Sequence, residues 1–365
     1  MPEDAPDTGI GLALSGGGFR AALFHVGALG RLVELGILTK VDRFSSVSGG
    51  SIIAGRLAQV WPALAADPSV ANYNRLVAEP LRAFCRMDID VAAAGEGMLS
   101  PFTSAADVVE RKYRKHLFDA DLADLPDAPV FVFNATNMAT GRAFRFTKAY
   151  MADYRLGIVR NPKVPLARAV AASSAFPPFF SPVVIDSPGV FEMLKGADLN
   201  GDTAYTRRLH LADGGVYDNM GLETLWRRCA TVLVSDAGAP FAAASKFDTD
   251  WARQSMRALN VATDQARALR KRMLVADFQA GARAGTYWGI DTDITDYGGG
   301  LACSPAKVGP LAAMRTRLNA FDAEEQGRLI NWGYALADAA VRRWTPQLAS
   351  GTVQAAWPCP AQALG

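Results

Sequence analysis

The spacing of apolar residues along this chain changes at short intervals, and the changes mark out strands and helices in alternation. GIGLAL (9–14) is an apolar run of strand length, and SGGG breaks it. FRAALFHVGALGRLVELGIL (19–38) then carries Leu23, Val26, Leu29, Leu32, Val33 and Leu35 at helical spacing, with Gly36 placed to stop the helix. VDRFSSV leads into SGGSIIAGRLAQVW, a second strand-to-helix transition through a glycine turn. Residues 62–125 are mostly helical in pattern, with the loop AAGEGMLSPFTS (93–104) inside them, and GEGMLSPF (95–102) suits a lid. PVFVFNATNM (129–138) and AFRFTKAY (143–150) predict a hairpin.

Further on, VPLARAVAASSAFPPFFSPVVI (164–185) reads as a small-residue helix ended by paired prolines, then a strand. RLHLADGGVYDNMGLETLW (208–226) reads as strand, glycine turn and helix, and TVLVSDAG (231–238) as a buried strand. Helices are expected at about 250–280 and 322–344, and the tail 346–365, rich in proline and alanine, is expected to be poorly ordered. The order predicts a parallel α/β fold with its glycine-marked turns at the carboxyl ends of the strands, where such folds place their sites. No linker divides the chain, so residues 9–345 are read as one domain with a helical insertion at about 62–125.

Composition narrows the classes. Half of the 365 residues are hydrophobic and 20% are charged, which fits a large buried core and excludes a disordered chain. A net charge of +2 gives no electrostatic case for nucleic acid. Cys85, Cys229, Cys303 and Cys359 are scattered and form no CxxC pair, so they read as free thiols in a reducing compartment. The acidic start MPEDAPDTG shows no signal peptide, and no charge-free apolar run reaches membrane-spanning length. A cytoplasmic protein is expected, with any membrane contact peripheral and the oligomeric state open.

FSSVSGGS (44–51) holds four serines. A nucleophile on a strand-to-helix elbow needs small residues two before and two after it. Ser45 has Arg43 and Val47 in those places, Ser46 has Phe44 before it, and Ser51 has Ile53 after it. Ser48, between Ser46 and Gly50, is the serine that fits. The motif alone reads equally as a Ser/Gly helix cap. Upstream, LSGGGFRA (14–21) exposes consecutive N–H groups at a helix terminus, which suits a phosphate or an acyl-transfer oxyanion. Arg20 beside it either serves an anionic head group, steadies the loop, or is a surface residue in an ion pair. GGGFRA also matches the dinucleotide fingerprint. That fingerprint needs an acidic residue at the end of the second strand, where the serine turn stands instead.

A base is harder to find. His25 lies in the first apolar helix, His116 in a basic solvated helix and His210 among strand leucines, so no histidine suits a triad. Asp213 leaves a strand into Gly214 and Gly215; in a dry cleft the pKa of such a carboxylate rises and it can accept a serine proton. LADGG is equally the sequence of an Asp-Gly turn.

The ordered set SGGGFRA, SVSGGS and ADGGVYDNMGLE, with AVAASSAFPPFFSPV between the last two, resembles the patatin-like phospholipase family over roughly residues 9–240. The resemblance implies a three-layer α/β/α fold with a mainly parallel central sheet, and hydrolysis of lipid acyl esters by a Ser–Asp dyad. It assigns Ser48 as nucleophile, Asp213 as base, and Gly16, Gly17 and Gly18 as the oxyanion loop, with Arg20 beside it. Ser46, Gly50, Gly214 and Gly215 support the elbow and turn. Ser46 and Ala21 stand where the family has glycines, and both are small. No metal or cofactor is implied, and the partner is a lipid or lysolipid, with a peripheral membrane surface an open possibility. A neutral-lipid esterase, thioesterase or acyltransferase would use the same dyad. A nucleotide- or phosphate-binding module using only the glycine loop is the alternative from another class.

Weaker signals resolve as structure. DLNGD (198–202) begins like a calcium loop but has Leu209 where the closing glutamate belongs. The helix at 257–278 reads as a core helix with a solvated face in preference to one lying on anionic lipid, and Trp332 and Trp344 as core residues.

Overall fold

The computed structural model describes residues 8–89, 104–178, 180, 182–186, 188–238, 240–246, 250–351 and 353–365. The lid segment anticipated at 95–102 lies outside them. Ten strands form one sheet: β1 Ile10–Leu14, β2 Arg43–Val47, β3 Val130–Asn137, β4 Arg142–Phe146, β5 Tyr150–Asp153, β6 Gly157–Arg160, β7 Val183–Asp186, β8 Arg208–Asp213, β9 Thr231–Asp236 and β10 Ala284–Gly289.

Strands β10-β9-β1-β2-β3 run parallel, joined by helical crossovers. From β3 outward the order continues β4-β5-β6, all antiparallel, and β8 and β7 add a further antiparallel pair. The sheet is therefore mixed where a mainly parallel one was expected. The links between β3 and β6 are only a few residues long, and a parallel return needs a crossover of a dozen or more.

Alternating side chains split the core between the two faces. Leu12 and Leu14 of β1 and Leu233 of β9 pack with helices α1 (Gly18–Glu34) and α2 (Gly49–Ala66). Ala13, Val232 and Val234 face the other way, toward Leu222, Leu225 and Leu274. The helix Ala323–Trp344 lies on α1, where the two backbones touch. A Cβ at Gly27 would stand 1.8 Å from the Ile330 carbonyl oxygen, and one at Gly333 1.9 Å from that of Phe24. Trp332 is buried as expected, whereas Trp344 is exposed beneath Arg343.

Two expectations change. The 346–365 tail docks on the Ala323–Trp344 helix. Asn331 Nδ2 donates to the carbonyls of Cys359 and Gln362, both at 2.8 Å, and its Oδ1 accepts the Cys359 N–H at 2.9 Å. Leu364 is fully buried. The helix Trp251–Gln279 is not a core helix, since only Arg267 and Leu274 along it are buried. No helix among the described residues is long and apolar enough to cross a membrane.

Candidate active site

Strand β2 ends at Val47 and α2 begins at Gly49, so Ser48 alone makes the turn, at φ 51° and ψ −118°. A non-glycine residue at positive φ costs on the order of 1–3 kcal/mol and persists only where its surroundings enforce it. The surroundings here are backbone. A Cβ at Gly49 would lie 2.1 Å from the Gly18 carbonyl oxygen, and one at Gly50 2.3 Å from that of Leu14. The other serines of the stretch are hydrogen-bonded elsewhere: Ser45 to the Gly221 carbonyl, Ser46 to the Val132 carbonyl, and Ser51 to the hydroxyls of Ser46 and Ser173.

β3 brings Asp213 to this turn. Its residues 130–134 pair in parallel with β2, and on the same edge its residues 135–137 pair antiparallel with the end of β8. β2 and β8 therefore run toward each other along one strand, and their last residues meet. Asp213 is held by its N–H to the Ala175 carbonyl (3.0 Å), by its carbonyl from Thr136 Oγ1 (2.8 Å), and by Oδ1 from the Gly215 N–H (2.6 Å). Complete burial pushes its pKa up to about 7, opposed by hydrogen bonds from the Gly215 N–H and the Ser48 hydroxyl. Both residues sit just under the surface, Ser48 8% and Asp213 2% exposed.

The glycine loop lies across the elbow. A Cβ at Gly16 would lie 3.1 Å from Ser48 Cβ, and Gly17 and Gly18 adopt φ of 137° and 56°. The Gly16 N–H already donates to the Asn219 carbonyl at 2.9 Å, so Gly16 supplies close approach and not a free donor. The N–H groups of Gly17, Gly18 and Gly49 have no protein partner among the described residues. Donors left open in this way can stabilise a developing negative charge.

Arg20 is fully buried, unlike the surface residue of one sequence reading. It donates to the carbonyls of Ala312 (2.8 Å), Met314 (2.9 Å) and Ala237 (2.5 Å). Burial holds its pKa down to about 10. Its guanidinium thus ties the loop to two neighbouring segments and has little left for a substrate. His25 is also buried, between Ser235 Oγ and the Ser15 carbonyl, and burial lowers its pKa to about 4. His116 and His210 are exposed. In DLNGD, Asp198 pairs with Arg155 and Asp202 caps the next helix.

Two residues of the site were not singled out from the sequence. Ser173 Oγ accepts the Ser48 N–H at 3.0 Å and donates to the Asn134 carbonyl at 2.6 Å, while its own carbonyl takes the Gly214 N–H at 3.2 Å. It braces both halves at once. Asn219 presses its side chain against Gly16 and Gly215. The pairing of two serines at the end of a small-residue helix, and the asparagine in VYDN, were the only signals available.

The serine elbow, the buried carboxylate and the glycine loop thus meet at the ends of β2, β8 and β1. The family model for patatin-like phospholipase matches residues 12–226, more than half of the chain. The chain belongs to that family. Its fold is similar to human GIVD cytosolic phospholipase A2, with a TM-score of 0.52 at 14% identity, over 92% of this chain and 59% of that one. The same human protein in complex with methyl gamma-linolenyl fluorophosphonate gives a TM-score of 0.49 at 16% identity, over 92% and 58%. VipD from Legionella pneumophila gives 0.37 at 14%, over 92% and 66%. The chain thus spans less than two thirds of the length of each. No curated protein matches the sequence.

Proposed function

We propose that this protein hydrolyses acyl esters of phospholipids or lysophospholipids with Ser48 as nucleophile and Asp213 as general base. The observation that carries the reading is a serine at positive φ on a strand-to-helix elbow, with a buried carboxylate brought to the same turn and its pKa pushed up to about 7 by burial. Ser48 Oγ attacks the ester carbonyl carbon as its proton passes to Asp213, and the carbonyl oxygen takes the negative charge. The N–H groups of Gly17, Gly18 and Gly49 are the donors suited to that oxyanion. Collapse of the tetrahedral species breaks the bond to the alcohol, which leaves with the proton from Asp213. Water then attacks the acyl-enzyme, gives its proton to the same carboxylate, and releases the fatty acid and free Ser48. Every step is a proton or acyl transfer within this chain and its substrate. A phosphate-binding module loses support, because Arg20 is committed to backbone carbonyls.

Labelling by a fluorophosphonate tests the assignment. Wild type labels, Ser48→Ala does not, and Asp213→Asn labels at least about 10²-fold more slowly, as expected for loss of a general base. Persistent labelling of Ser48→Ala would overturn the nucleophile. A panel of phospholipids, lysophospholipids, neutral esters and thioesters, with and without an added alcohol acceptor, then separates hydrolase from esterase, thioesterase and acyltransferase.

A further inference from the structure

Deacylation needs a water molecule held at the dyad, and one side-chain amide lies close to both of its members. Asn219 stands directly after the short helix Gly215–Asp218 that follows Asp213. The residue is partly exposed, and its amide makes no hydrogen bond among the described residues. A Cβ on Gly16 would lie 2.4 Å from Asn219 Oδ1 and 3.1 Å from Ser48 Cβ. A Cβ on Gly215 would lie 2.6 Å from the same oxygen and 2.9 Å from Asp213 Oδ1. Oδ1 is thus at most about 5.5 Å from Ser48 Cβ and from Asp213 Oδ1, a gap that one water spans with two ordinary hydrogen bonds.

The amide nitrogen points the other way. Asn219 Nδ2 and Asp236 Oδ1 adjoin one point beside Gly238, at 2.9 and 3.0 Å. Arg267 Nε is also 3.0 Å from that point, but its proton is already given to Asp236 Oδ2. An acceptor on that side favours the nitrogen there and leaves the oxygen to the dyad.

We propose that Asn219 is a further catalytic residue, whose Oδ1 holds the water that frees the fatty acid. Water has two O–H groups. One faces Asp213 and gives up its proton as the oxygen attacks the acyl carbon on Ser48 Oγ. The other donates to Asn219 Oδ1 and stays with the product. The bond between the acyl carbon and Ser48 Oγ then breaks, and Oγ recovers the proton from Asp213. The fatty acid leaves with the second hydrogen as its carboxyl proton. An alcohol in the same place has a single O–H. Giving it to Asp213 leaves Asn219 Oδ1 without a donor, and a site built to pair a polar group discriminates against a molecule that cannot. Asn219 thereby directs the acyl-enzyme to water and away from alcohols. The assignment rests on the Ser48–Asp213 reading above.

The full chain is given a soluble p-nitrophenyl acyl ester with added glycerol, and fatty acid and glyceride are quantified. Wild type is expected to release mainly fatty acid. Asn219→Leu, close in size and without the acceptor, is expected to raise the ratio of glyceride to fatty acid at least about tenfold. It should also show a burst of p-nitrophenol and acylated Ser48 in mass spectra of quenched protein. Its kcat should fall at least about tenfold further than its fluorophosphonate labelling rate. Labelling consumes no water, so that difference separates this role from mere support of the elbow. Asn219→Ala, which asks less of the packing, is expected to shift the ratio the same way. Asn219→Asp keeps the oxygen and is expected to retain the wild-type ratio, which its added charge leaves alone because water and glycerol need the same base. An unchanged ratio in whichever of the leucine and alanine variants folds overturns the proposal. So do turnover and labelling that fall together without a burst, while the hydrolase reading stands. A wild type that neither labels nor releases fatty acid removes the hydrolase reading and this assignment with it.

Discussion

Asp213 shows how one burial sets both reactivity and stability. Burial pushes its pKa up to about 7, so in acid the carboxyl holds a proton and, under the proposed mechanism, cannot accept the one from Ser48. The kcat/KM on a soluble ester should therefore rise with pH and level off above about pH 7, a profile that stopped-flow or pH-stat assays can record. The stability consequence has the opposite sign. The native state binds this proton more tightly than the unfolded chain, so stability is fully present near pH 4 and declines as pH rises toward 7. Asp213→Asn should match wild type in urea at pH 4 and exceed it at pH 8, by on the order of 4 kcal/mol. Ser48 and Asp213 were legible because their demands are local: small neighbours for the serine, bare glycines after the aspartate. Ser173 and Asn219 were not, since their partners stand 125 and 203 positions away and nothing beside them in the chain marks the contact.

Among the elements, the glycine loop and the elbow are stacked backbone on backbone, and neither has room to give. Gly49→Ala would push a Cβ to 2.1 Å from the Gly18 carbonyl oxygen, which displaces the open N–H groups relative to Ser48. A fluorophosphonate labelling rate lower by about 10²-fold is expected, in line with the effect of ångström-scale misplacement. Arg20→Met should act on folding instead. It strips the donors from three carbonyls, and at about 1–3 kcal/mol for each group left buried and unpaired a large fall in Tm is expected. Most of the helix and strand order was readable from apolar spacing. β5 and β6 were not, being four residues each, nor β10, whose AGTYWG has glycines at its second and last positions. The Trp251–Gln279 helix had the right length but was assigned the wrong environment. Apolar residues at helical spacing look the same whether the line they form is buried or bare.

At the scale of the whole molecule, the tail misled through composition. Proline and alanine suggested disorder, yet Asn331 captures its backbone and Leu364 anchors it. Asn331→Ala should release the tail to limited proteolysis, with a loss of about 2–3 kcal/mol of stability. The head-to-head meeting of β2 and β8 along β3 also has a bearing on folding kinetics. Residues 48 and 213 are far apart in the chain, and only registration against a common third strand brings them together. Pairings of such long range close late and slowly. Fluorophosphonate added at intervals during refolding would then act as a clock, because chains become reactive only once β8 has found its place on β3. Lengthening β3 by one residue between Asn134 and Ala135 would move the end of β8 away from that of β2, and break the register with β4 as well, so the labelling signal should not appear.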